Sequence, residues 1–203
     1  MPVQPSALAV VLVPLALAAT AGAAPASCVP VAATTLRASG AARLYSEGSV
    51  LYGCLGARRT RLGALRGTVA FPATRIARYA LSSSGYAGID TAQMGVDTFN
   101  STVLLVDLRT GATLASAPGT TPERRAEFFI TVTAMAVDRK GTLAWIGERS
   151  AIGVPHPTYE VHTLNAARNR LLASSATIAS RSLRLHGETI SWREGGHARS
   201  ATL

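Results

Sequence analysis

A hairpin written twice constrains this chain more than any other feature. The stretch VLLVDLRTGATLAS (Val103 to Ser116) is echoed by YEVHTLNAARNRLLAS (Tyr159 to Ser174). Each has an apolar run, a short polar turn and a weaker second run, the pattern of two antiparallel strands. The residues ahead of each copy repeat too. AMAVDRKGTLAWIGE (Ala134 to Glu148), SLRLHGETISW (Ser182 to Trp192) and RIARYALSSSGYAGID (Arg75 to Asp90) each set two strands around a turn glycine. Near the N-terminus ARLYSEGSVLYGCL (Ala42 to Leu55) puts Gly48 in that role. The turn glycines then fall at 48, 85, 141 and 187, a mean spacing of about 46, which suits four-stranded repeat units.

Helical periodicity is nearly absent, so the expected class is all-β. The repeat reads as a small β-propeller-like domain of about four blades, with an antiparallel β-sandwich as the alternative. The last unit, Arg181 to Leu203, holds three strands, SLRLH, TISWRE and HARSATL. The strand Ala33 to Ser39 is expected to supply its fourth and to close the ring, which removes two exposed edges at once. One segment departs from the β pattern. TTPERRAEFF (Thr120 to Phe129) carries a Thr-Pro-Glu helix start and is expected to form a turn between blades, with Phe128 and Phe129 returning to the core.

Residues 1–23 read as a secretory signal peptide, leaving 24–203 as a single domain. Ala7 to Ala19 is uncharged and apolar, broken by Pro14, and is followed by small residues with Ala21 and Ala23 in the A-x-A pattern. That run is shorter than the roughly 20 residues a membrane-spanning helix needs. No later segment spans a bilayer in this reading, so a secreted or extracytoplasmic location is expected. The two cysteines, Cys28 and Cys54, are expected to form a disulfide in that compartment.

Composition narrows the core. Hydrophobic residues make up 48% of the chain but aromatics only 5%, so Ala, Val and Leu must fill thin layers. The formal charge is +9 and Lys140 is the sole lysine, an Arg bias that fits a GC-rich bacterial genome. The densest basic cluster, Arg58, Arg59 and Arg61, is a candidate anion-binding patch for an envelope polymer. Nucleic acid is disfavoured, because aromatic stacking platforms are not interleaved with it.

Motifs for chemistry are missing from the sequence. The histidines at 156, 162, 186 and 197 form no metal-ligand spacing, and His162 is expected to be solvent-facing or half-buried on its strand. G-x-S-x-G and the phosphate-cradling glycine motifs do not occur. Asp90 and Asp97 flank a loop, where a polar surface role is expected over a shared metal. No cofactor is implied. The expected function is an exported, non-catalytic interaction or scaffold domain whose partner is a protein or an envelope polymer. Its contacts are assigned to the loops Ile89 to Asn100, Pro118 to Glu127 and Arg149 to Thr158. The alternative is a secreted enzyme whose site is assembled from scattered residues such as His156, Asp90 and Asp97.

VLLVDLRTGATL resembles the outer hairpin of TolB-like and related WD40-like or YVTN-type bacterial β-propellers, in which a V-x-D-x-x-T-G turn joins a blade's outer strands. Asp107, Thr110 and Gly111 carry the match. The second copy departs from it at Thr163 and Ala167. The resemblance implies an interaction scaffold and no particular activity, because fold does not fix function.

Overall fold

The computed structural model of the chain describes residues 28–67, 73–122 and 128–203. The expected leader lies outside them, as does the middle of the expected helix start, residues 123–127. Among the described residues there are fifteen strands and no helix. They fall into four up-and-down units. The first is β1 (Thr34–Ser39), β2 (Ala42–Glu47), β3 (Val50–Leu55) and β4 (Arg58–Ala64). The second is β5 (Ala73–Leu81), β6 (Tyr86–Met94), β7 (Phe99–Asp107) and β8 (Ala112–Pro118). The third is β9 (Phe128–Val137), β10 (Leu143–Ala151), β11 (Thr158–Leu164) and β12 (Asn169–Ser175). The fourth has three strands, β13 (Arg184–His186), β14 (Thr189–Glu194) and β15 (His197–Thr202). All pairing within a unit is antiparallel, and a single parallel bridge, Phe99 to Phe129, joins β7 to β9.

The units pack in series through three hydrophobic cores. Leu44 and Leu51 of the first unit meet Ile76, Ile89 and Val106 of the second. Val103 and Leu105 of the second meet Val132, Leu143 and Trp145 of the third. Ala144, Ile146 and Val161 of the third meet Ile190 and Trp192 of the fourth. This explains the run LAWI in β10: its alternate residues enter two different cores, so the strand is apolar on both faces. It also explains the scarcity of aromatics, since thin layers buried on both sides take small side chains. By hydrogen bonding the strands form three sheets, β1 to β4, β5 to β12 and β13 to β15, and none of them closes on itself.

Two expectations are corrected. β1 does not complete the last unit; it pairs with β2 inside the first. The first unit therefore starts one strand earlier than the repeat suggested. Its counterpart of Gly85, Gly141 and Gly187 is Gly40, between β1 and β2, whereas Gly48 turns β2 into β3. All four counterparts have positive φ, 56°, 90°, 83° and 60° in chain order, which only glycine adopts without strain. The two echoed hairpins are equivalent, as the outer pairs β7–β8 and β11–β12 of their units. The second copy keeps a side-chain acceptor in its turn: Asn165 Oδ1 accepts from the Ala167 and Arg168 amides, as Asp107 Oδ1 does from Arg109.

The Cys28–Cys54 disulfide is formed and ties the segment before β1 to β3. Among the described residues no helix is long and apolar enough to cross a membrane.

Candidate functional site

The alternation of strand directions gives the molecule two ends. At one end, the turns after β1, β5, β9 and β13 converge on a cavity of about 670 Å³, lined by Ser39, Ser82, Ser83, Arg139, Lys140 and Glu188 among others. Successive turns are linked around it. Ser83 abuts Gly40, leaving a Cβ there only 3.2 Å of space. Ser84 Oγ donates to the Arg139 carbonyl at 2.7 Å, and Lys140 pairs with Glu188 at 2.5 Å. These links use the polar groups of the rim for holding units together. Asp138 likewise caps its own turn, accepting from the Lys140 and Thr142 amides.

At the other end, the three loops singled out in the sequence meet. Thr98 and Asn100, Pro118 and Thr120 to Pro122, and Arg149 line one cavity of about 370 Å³. Two loops expose apolar side chains: Val96 is 89% exposed, Ile152 72% and Val154 56%. These tips lie on equivalent loops of adjacent units, β6–β7 and β10–β11.

Below the second cavity is a buried polar cluster that sequence reading missed. His162, expected to be solvent-facing or half-buried, and Glu160 two residues before it are both buried. His162 Nε2 donates to Glu160 Oε2 at 2.7 Å, the Thr121 amide donates to the same oxygen at 2.7 Å, and Arg149 approaches Oε1 at 3.5 Å. Burial pushes the Glu160 carboxyl up, but the bonds from His162 and Thr121 outweigh it and hold the group at about 2. The only hint in the sequence is the pair's place in TYEVHTL, next in the chain after the apolar run LAWI of β10.

Asp90 is the second group misjudged as a surface residue. It is 1% exposed, and neither carboxylate oxygen has a hydrogen-bond partner. Burial pushes it up to about 6, against the pull of the Ser101 hydroxyl and the Arg78 guanidinium. Asp90 belongs to the wall of a third cavity, of about 420 Å³, with Arg75, Arg78, Phe99 and Val132. Asp97 and His156 are exposed, and no cavity described here is lined by two of His156, Asp90 and Asp97. No group of three metal-ligating side chains occurs among the described residues.

The basic cluster sits on β4, and two of its three members are engaged. Arg59 pairs with Glu47 and its guanidinium lies 3.9 Å from the centre of the Tyr52 ring. Arg58 donates to the Thr110 carbonyl at 2.8 Å, bridging the first and second units. Arg61 is exposed. No family model matches the chain, and no curated protein matches it.

Proposed function

We propose that the chain is an exported, non-catalytic, propeller-like interaction domain that docks a protein partner through the β6–β7 and β10–β11 loops. The observation that carries the reading is the exposure of apolar side chains on equivalent loops of adjacent units, Val96 between β6 and β7, and Ile152 and Val154 between β10 and β11. Thr98 on the first of these loops and Arg149 near the end of β10 line the second cavity. Exposed apolar side chains at loop tips suit a protein contact better than a polyanion, and the engagement of Arg58 and Arg59 within the fold points the same way. The propeller-like arrangement is supported by the first strands: β1 lies against β5, β5 against β9, and β9 against β13, as inner strands of successive blades do. Export is supported by the apolar leader and by the disulfide.

The test is a triple variant, Val96→Asp, Ile152→Asp and Val154→Asp, expressed in the producing cell. The expected result is an unchanged melting temperature with loss of the co-purifying partner. A folded triple variant that retains its partner contradicts the reading.

A further inference from the structure

The first cavity, of about 670 Å³, lies where the first strands of all four units end. Ser39 closes β1, Leu81 closes β5 and Val137 closes β9, while Leu185 lies in β13. These strand ends give the cavity an apolar wall from three of the units, and Leu185 is the most exposed member of it. The turns that follow supply its polar rim.

Most of that rim is already engaged. The Ser82 hydroxyl accepts from the Tyr86 amide and meets the Ser84 hydroxyl. Asp138 accepts from two amides of its own turn, and Glu188 is matched by Lys140. What is left is a set of donors. Among the described residues lining the cavity, the Ser39 and Ser83 hydroxyls and the Arg139 guanidinium make no hydrogen bond or ion pair. Arg139 is exposed, and only its carbonyl is held, by Ser84. A cationic ligand has no free acid to meet, so the rim selects an anion. A phosphate monoester carries close to two charges at neutral pH, too many for one guanidinium beside Asp138 and Glu188. A carboxylate carries one, and its two oxygens match the planar guanidinium fork. The volume lies in the range of small-molecule sites.

We infer that this cavity binds a small carboxylate with an aliphatic tail, Arg139 receiving the carboxylate and the wall of Leu81, Val137 and Leu185 the tail. The site is separate from the loop contact proposed above, because it lies at the opposite end of the strands.

The experiment is calorimetric titration of the full chain at neutral pH with octanoate, with octylamine, which reverses the charge, and with acetate, which lacks the tail. Octanoate is expected to bind saturably. Octylamine and acetate are each expected to bind at least about tenfold more weakly, the loss that goes with one charge-assisted contact or about two buried methylenes. Arg139→Gln, which keeps the carbonyl that Ser84 holds, is expected to weaken octanoate at least about tenfold and to remove its preference over octylamine. Ser39→Trp, which fills the cavity from the first unit, is expected to abolish octanoate binding with the melting temperature kept. No saturable binding of octanoate, equal binding of octylamine or acetate, or unchanged octanoate affinity in either variant overturns the inference.

Discussion

Trp145 and His162 stack face to face, their ring centres 5.0 Å apart and their planes within 8° of parallel. Each ring is also tied to the connection between the second and third units. Trp145 Nε1 donates to the Gly119 carbonyl at 2.8 Å, and His162 reaches Glu160, which accepts from the Thr121 amide. The connection is thus clasped at two points by one strand pair. Removing the hub of this clasp leaves His162, Arg149 and a backbone donor around an empty site. Glu160→Ala is therefore expected to cost about 3–5 kcal/mol in denaturant unfolding. Trp145→Phe, which loses one buried hydrogen bond and some volume, is expected to cost about 1–3 kcal/mol.

Asp90 and Glu160 give opposite pH dependences. Asp90 is raised from its ordinary 3.8 to about 6 in the fold, so the folded state holds its proton longer than the unfolded chain does. Its contribution to stability falls as pH rises from about 4 to about 6, by on the order of 3 kcal/mol. Glu160 is held at about 2, so its contribution is present above about pH 4.5 and is lost as pH falls toward 2. Asp90→Asn is expected to be more stable than the parent at neutral pH and equal to it near pH 4. Chemical denaturation across that range measures the difference, and an Asn variant less stable at pH 7 would show that the carboxylate has a favourable partner.

Gly147 is required by a close approach and not by its backbone angle. A Cβ there would lie 2.0 Å from the Gly119 carbonyl oxygen, the atom that also accepts from Trp145. Backbone cannot yield as a side-chain end can, so Gly147→Ala is expected to unfold or to misassemble the junction between the second and third units. At Gly187 a Cβ meets nothing within 4 Å and φ is +60°. Gly187→Ala is expected to cost only about 1 kcal/mol, the strain of the left-handed conformation. Circular dichroism melts of the two variants separate a packing demand from a turn demand.

The disulfide fastens the segment before β1 to the interior of the first unit, where Cys54 is fully buried. Replacing both cysteines by serine is expected to cost about 2–4 kcal/mol, through the freedom returned to the unfolded chain across 26 residues. Unfolding with and without reductant measures it on the unmodified protein, and a shift below about 1 kcal/mol would mean that the loop adds nothing to stability.

The hairpins were legible because turns and alternation are local. Asp107 and Gly111, or Asn165 in its own turn, fix each reversal within a few residues, and the fold keeps them all. What the sequence hid depends on the neighbour across a layer. TYEVHTL carries its polar residues at 160 and 162 in a pattern any surface strand shows, and only the return of residues 119–121 over β10 and β11 buries them. Asp90 looks like the end of a strand before a polar loop. It is buried because β9 of the next unit lies against β5 and β6. The first unit was misaligned by one strand for a related reason. The strand Thr34–Ser39 is exposed along nearly its whole length, so TTLRAS has no alternation to mark it as the start of a sheet.

The interaction face is the central claim, and a photo-crosslinking amino acid tests it most directly. It is placed at Ile152, and separately at Ser200 on the exposed β15, and activated in the intact producing cell. The expected result is one discrete protein adduct from position 152 and none from position 200. Adducts of the same pattern from both positions, or none from 152 in a chain shown to be folded and exported, would contradict it.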